Sequence, residues 1–292
     1  SGRPNLFRPS EGCPGPEVID LGHETVLILF DSQWWLHQAE KPQGETSPCE
    51  VKSRPDFLVA MHDAIKAHPD KRILVAGHHP LLSRGPHGGK YPIKTHLFPL
   101  TEFWDGGYVP LPGIGSIYVI GRAVFGNIQD IPHPVHQDLK RGLLKLFAQH
   151  DNLVYVSGHD HSLQYFDEDS LHFIVSGSGA KTSHVLPRGK SEFVYNHTGY
   201  TRIDYYSNGT AWVSFHIAGR EEPIFRQRMF ATPPDSSGDR AAIIPDYSDS
   251  SITLAASPRY ASSDLGQFIG GKNRRAVWTE PITVPVFGLN TW

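Results

Sequence analysis

The sequence predicts an α/β domain, with helices laid against sheet. Three observations carry this expectation. Short apolar runs rich in β-branched residues recur at 25–30, 73–76, 153–157 and 173–175. Two stretches between them, 55–68 and 139–150, repeat their apolar residues at helical spacing. The two kinds of pattern alternate along the chain, as they do where helices cover a sheet.

Taken in order, the run TVLILF at 25–30 reads as a buried strand and leads into Asp31-Ser32-Gln33-Trp34-Trp35. In 55–68, Phe57, Leu58, Met61 and Ile65 fall on one helical face. The strand at 73–76 ends in Gly77-His78-His79-Pro80. About fifty residues follow, 81–133, rich in Gly, Pro and aromatics and without a clear period. A connection of that length is expected to form a lid or wall. Its aromatics Phe98, Phe103, Trp104, Tyr108 and Tyr118 fit a cleft wall and a small core of the loop equally well.

Helical spacing returns at 139–150, with Leu139, Leu143, Leu146 and Phe147 on one side. The strand at 153–157 ends in Gly158-His159-Asp160-His161, and the one at 173–175 in Ser176-Gly177-Ser178-Gly179. The runs 200–206 and 210–216 flank Asn208-Gly209, a pair that tolerates the positive φ of a hairpin turn. After Gly219 the periodic patterns fade, and TPPDSSGDR at 232–240 is linker-like. The expected division is therefore a domain over 1–219 and an extension over 220–292.

Composition sets bounds. With 39% hydrophobic and 20% charged residues, the 292-residue chain reads as globular. Its net charge of −3 makes no electrostatic case for nucleic acid or an anionic membrane surface. No apolar run approaches the roughly 20 residues of a membrane span. The opening SGRPNLFRPSEG lacks the apolar centre of a signal peptide. The 28 glycines and 24 prolines imply long shaped loops. Cys13 and Cys49 have no CxxC partners, so a structural zinc site is not expected. A disulfide and two separate thiols both remain open on the residues alone.

The chemistry lies in two histidine clusters, each directly after a predicted strand. A buried strand is a rigid support, and the leading glycine allows a sharp turn. Imidazoles from both tips can then face a common centre, and neutral imidazole suits zinc, iron and similar ions. Each cluster alone is weak evidence. Together, each at a strand end, they point to metal.

These motifs resemble a family. VAGHHPLLSRGPHGG and VYVSGHDHSLQYF followed by FIVSGSG are similar to calcineurin-like metallophosphoesterases, the purple acid phosphatase branch in particular. The resemblance spans about residues 11–216. It implies a four-layer αββα sandwich and a two-metal centre built with Fe, Zn or Mn. On it His78 and His159 would bind one ion and His161 the other. His79 matches no ligand position and would be supporting or structural. The substrate implied is a phosphate ester, hydrolysed directly without a phosphoenzyme. His87 is the candidate proton donor to the leaving oxygen, set against a plain loop histidine. Arg84 and Lys90 could touch phosphate or be ordinary surface charge, and Asp160 would orient its neighbours or be solvated.

The family's earlier motifs, Asp-x-His, Gly-Asp and Gly-Asn-His, have no counterpart here. Gly126-Asn127 is misplaced and lacks the following histidine. The resemblance therefore implies that the N-terminal portion of the fold is missing, and that an upstream segment or a second chain supplies the Asp and Asn ligands. A finer resemblance, on GCPGPEV, PLPGIGSIY, FGNIQDIPHP and SPRYASSDLGQF, is to Bacteroidetes envelope proteins in which such a domain precedes an outer-membrane barrel. It implies a bacterial periplasmic or outer-membrane setting and favours a Cys13–Cys49 disulfide. Two other readings stand beside the hydrolase. One is a non-catalytic envelope binding module that keeps the fold. The other is a mononuclear zinc hydrolase built from His78, His159 and His161 alone.

Overall fold

The computed structural model describes residues 8–22, 25–102, 104, 106–151, 153–168, 170–187, 189–206, 209–230 and 282–286. Among them are eleven strands and five α-helices. Seven strands form the first sheet: β1 (Glu17–Gly22), β2 (Thr25–Leu29), β3 (Arg72–Ala76), β4 (Leu153–Ser157), β5 (Leu163–Glu168), β6 (Leu171–Ser176) and β7 (Phe193–Tyr195). Their order is β1-β2-β3-β4-β6-β5-β7. The centre, β2-β3-β4-β6, is parallel, and the flanking pairs are antiparallel. Strands buried on both faces read as continuous apolar runs rather than alternating ones. That is why RILVA and LVYVS are buried throughout.

Helices join β2 to β3 and β3 to β4, as parallel connections require, while β4 reaches its parallel partner β6 through β5. Helix α1 (Ser32–Leu36) opens with the Asp31 side chain accepting the Gln33 N–H at 2.8 Å. In α2 (Arg54–Lys66) Ser53 caps the start, and Pro55 sits in the first turn where its missing N–H costs nothing. Phe57, Met61 and Ile65 form its buried face. Helix α5 (Pro134–Phe147) buries Leu139, Leu143, Leu144 and Phe147. These helices, Phe30, Trp35 and one face of the first sheet share one apolar core.

A second core lies on the other face. Leu74, Ala76, Val154, Val156 and Tyr165 meet Ile203, Tyr205, Val213 and Phe215 of a second sheet. That sheet has four strands in the order β10-β9-β8-β11: β8 (Gly199–Tyr205), β9 (Ala211–Ile217), β10 (Phe225–Phe230) and β11 (Ile282–Val286). The β8–β9 hairpin pairs Tyr205 with Ala211, and Gly209 has a φ of 82°. Asn208 of that turn lies outside the described residues. The two cores define three layers among the described residues, namely helices, first sheet and second sheet. The result is a mixed α/β fold with interleaved sheets and helices.

Three differences from the sequence expectations have physical causes. The 81–133 stretch contains two helices, α3 (Ile93–Leu97) and α4 (Ile114–Phe125). Helix α4 reads IGSIYVIGRAVF, mostly apolar with glycines at 115 and 121, so it blends into the Gly-rich stretch around it. Strand β1, EVIDLG, lies at a sheet edge and is half-polar, so it offers no continuous apolar run. Strands β10 and β11 come from the stretch after Gly219, yet both pair into the second sheet. Cys13 and Cys49 are joined in a disulfide with Cα atoms 5.6 Å apart. No helix among the described residues is long and apolar enough to cross a membrane. Phe103 and the Tyr118 side chain lie outside what the structure describes.

A candidate histidine metal centre

The two histidine motifs come together because β3 and β4 are parallel neighbours that end at the same level. Their ladder continues past the strands. Gly77 N–H donates to Val156 O at 3.1 Å, and Gly158 N–H donates to His78 O at 3.0 Å. Gly77 must be glycine, since a Cβ there would come within 2.5 Å of the Phe30 ring and 2.9 Å of the Tyr155 hydroxyl. His159 turns with a φ of 62°, in the left-handed region that non-glycine residues seldom occupy. Backbone strain of this kind persists where the surroundings over-determine it, often at functional sites. Here it swings the His159 ring across to the β3 tip.

The rings of His78 and His159 lie 5.1 Å apart, those of His79 and His159 4.4 Å, and those of His78 and His79 4.8 Å, centroid to centroid. One ring nitrogen from each of these three residues lies within 4.8 Å of the others. His159 Nδ1 and His78 Nε2 are 3.2 Å apart, so one proton is shared between them. The Nε2 atoms of His79 and His159 are buried without a hydrogen-bond partner. A buried unpaired nitrogen is costly, and it is the natural condition of a metal ligand whose ion has not been counted. The residues therefore fit an ion held by imidazole.

The support around them has the same sense. Ser32 Oγ accepts the His79 backbone N–H at 3.1 Å and lies 2.8 Å from its Nδ1. With the ring proton on Nδ1, Ser32 accepts twice and Nε2 keeps its lone pair. The Tyr155 hydroxyl donates to His79 O at 2.6 Å, fixing the turn from beneath. Burial, reinforced by crowding of the neighbouring imidazoles, pushes His79 and His159 well below the usual histidine range. Both rings are thus neutral at pH 7, as ligands must be.

The structure places the other expected residues as follows. His87 joins the cluster, its ring 3.9 Å from that of His159. His161 is half-buried and is not one of the three converging residues. Its pKa is pushed down by burial, then by Lys181 and His87. Asp160 is fully buried rather than solvated. It accepts from the Ser83 hydroxyl and from the His87 backbone N–H, so it ties the His87 loop to the second motif. Burial raises its pKa, against the opposing charge of His87 and the Ser83 bond. Arg84 is held by Leu186 O, and Lys90 is half-buried, its pKa lowered by burial and by Arg84. His79, which the family resemblance leaves outside the ligand set, is the most buried ring of the group. The doubled histidine of Gly77-His78-His79 was the signal for it. The His159 backbone and the Ser32 support left no trace in residue spacing.

No known family matches the sequence, and no curated protein matches it. Among solved structures the chain is similar to GAP50, the anchor in the inner membrane complex of Plasmodium, at 15% identity over 73% of this chain and 52% of that one, with a TM-score of 0.38. It is similar to purple acid phosphatase PPD1 from yellow lupin (Lupinus luteus) seeds at 10% identity over 73% and 32%, TM-score 0.42. It is similar to PhoD at 9% identity over 76% and 42%, TM-score 0.42. The chain spans between about a third and about half of those chains. At identities of 15% or less, these likenesses are distant ones over part of the chain.

Proposed function

We propose that this chain carries the histidine half of a metal-dependent phosphate-ester hydrolase. One observation carries the reading: His78, His79 and His159 from two strand tips converge, with the Nε2 atoms of His79 and His159 buried and unpartnered. When bound, an ion such as Zn, Fe or Mn supplies Lewis acidity toward the phosphate and a lowered pKa for water. His78, His79 and His159 would hold the first ion. His161 would serve a second one together with Asp and Asn ligands from an upstream segment or a second chain. The same outside segment would complete the four-layer αββα sandwich.

The chain's own residues then divide the work. The buried neutral imidazoles bind, and Ser32 and Tyr155 orient His79. Asp160 and Ser83 hold the loop that carries His87. His87, partly open to solvent beside His159, gives a proton to the leaving oxygen of the ester. The Cys13–Cys49 disulfide supports an oxidising setting, in keeping with a bacterial cell envelope. A stretch over 220–292 that adds β10 and β11 to the second sheet and leads toward a barrel belongs to the same proposal.

A second reading has its own observation. The three converging ligands are all imidazole and all from this chain, the donor set of a single zinc site with an open position. Calorimetric titration of the full chain with Zn(II), followed by hydrolysis of 4-nitrophenyl phosphate, tests both. Zinc bound by wild type and lost in His159→Ala is the expected result. One ion with hydrolysis by the chain alone favours the single-zinc version. No binding at saturating Zn(II), Mn(II) or Fe(II) sinks both and leaves a binding module.

A further inference from the structure

We propose that Asp130 is the positioning residue of His87, setting which ring nitrogen faces the histidine centre; this rests on the hydrolase reading above. Asp130 belongs to the segment between α4 and α5, far in sequence from either histidine motif. Its side chain is only 2% exposed. Oδ1 accepts from His87 Nδ1–H at 2.7 Å. Oδ2 accepts from Arg122 Nε–H at 3.3 Å and from the Asn127 backbone N–H at 3.2 Å. The carboxylate has three donors and little water. Glycine at 126 is part of the arrangement, because a Cβ there would come within 2.8 Å of Asp130 Oδ2 and 2.1 Å of Arg122 O.

The main chain of His87 is held as firmly as its ring. Its N–H donates to Asp160 Oδ1 at 3.3 Å and its carbonyl accepts from Ile131 N–H at 2.8 Å. Asp160 thus fixes where the loop sits, and Asp130 fixes how the ring is turned. With Nδ1–H committed to Asp130, Nε2 is the nitrogen left to act, on a ring 3.9 Å from that of His159. The logic is that of a buried carboxylate which holds a working imidazole in one tautomer. A loop histidine without a task needs no such buried acceptor, itself balanced by an arginine.

In the reaction, an entering water loses a proton to solvent and its oxygen joins phosphorus. The ester P–O bond breaks with its electron pair on the leaving oxygen. A His87 ring that carries a proton on Nε2 as well as on Nδ1 gives the Nε2 proton to that oxygen, which leaves the neutral Nδ1–H tautomer, and solvent restores the Nε2 proton. Asp130 exchanges no proton and does not touch the substrate.

The test compares phenyl phosphate, a poor leaving group, with 2,4-dinitrophenyl phosphate, which needs no proton. The Zn(II)-loaded full chain is assayed as wild type, Asp130→Asn, His87→Asn and the double variant. A proton donor is worth roughly 100-fold or more. Asp130→Asn should therefore lower kcat on phenyl phosphate by about 10–100-fold and on the dinitrophenyl ester by under about threefold, with KM little changed. The double variant should be no worse than His87→Asn. Equal losses on both esters would mean that Asp130 only holds the loop together, and would overturn the proposal. Nitrogen-15 NMR of the metal-free chain near pH 8 gives an arm independent of activity. His87 should be the Nδ1–H tautomer in wild type and should lose that preference in Asp130→Asn. An Nε2–H ring in wild type overturns the proposal. A chain that hydrolyses neither ester yet shows the Asp130-dependent tautomer removes hydrolysis by this chain alone and leaves the positioning intact.

Discussion

Two sets of buried histidines can be set side by side. His172 lies in the body of the protein and His136 on α5 beneath the cluster, its ring 6.0 Å from that of His79, while His78, His79 and His159 crown the tips of β3 and β4. Burial lowers the pKa in both sets, to about 4 for His136 and His172 and well below 6.5 for His79. Their hydrogen bonds differ. His136 places Nδ1 and Nε2 each 3.0 Å from a carbonyl, of Gln129 and Pro80 respectively. His172 Nδ1 is 2.9 Å from the Tyr165 hydroxyl. At the tips, the Nε2 atoms of His79 and His159 are buried without a hydrogen-bond partner. Burial and a shifted pKa therefore do not mark a site in this molecule. Unspent nitrogens gathered at one place do.

The largest expected effect belongs to the core set. Unfolded His172 takes up a proton near 6.5, whereas the folded ring does so only near 4. Between those values the unfolded state binds more protons. The contribution of His172 is thus complete above about pH 6.5 and is lost as pH falls toward 4, by about 3 kcal/mol in all. Urea unfolding at about pH 7 and pH 4.5 should show the loss, and His172→Gln should reduce it, with His136 supplying the remainder. A wild-type curve that does not change over this range would contradict the burial of these rings as neutral groups.

Next comes the metal. His159→Ala should weaken Zn(II) binding by more than about 100-fold, since even a supporting residue costs roughly 10–100-fold. His172→Gln and His161→Ala should leave the first ion within about threefold. If His172→Gln matters as much as His159→Ala, the distinction between the two sets fails. Equal effects of His159→Ala and His161→Ala would instead make the second motif deliver both rings to one ion. The smallest effect concerns Ser32. Ser32→Ala frees His79 Nδ1 and should cost about tenfold in Zn(II) affinity and about 1 kcal/mol in stability. Calorimetry and thermal melts measure the two. A loss of stability with unchanged affinity would make Ser32 a fold residue only.

Much of the frame could be read from the chain. Residues 73–76 and 153–157 are apolar enough to demand burial on both faces, and the strands fall there. The spacing of Phe57, Met61 and Ile65 announces α2, and that of Leu139 and Leu143 announces α5. Less regular segments hid their structure. Helix α4 blends into the Gly-rich stretch around it, and β11 sits in a stretch with no alternation long enough to notice. In the site, the two Gly-His signals located the strand tips correctly, but they could not rank the imidazoles. His79 looked like a spare beside His78, and the role of Asp130 had no sequence signal, because it is set by a contact with His87 some forty residues away.

By itself the amino-acid order determined the alternation of strands and helices, the two places where histidine follows glycine at a strand end, and the type of atom offered there. These are local properties, set by side-chain polarity, period and backbone freedom over a few residues. The tertiary structure decided which rings converge, that Cys13 meets Cys49, and that Asp160 and Asp130 lock the His87 loop. Those depend on β3 lying parallel to β4 and on loops closing over their tips. Contacts between distant stretches are settled by packing of the whole sheet, and no short window of sequence contains them.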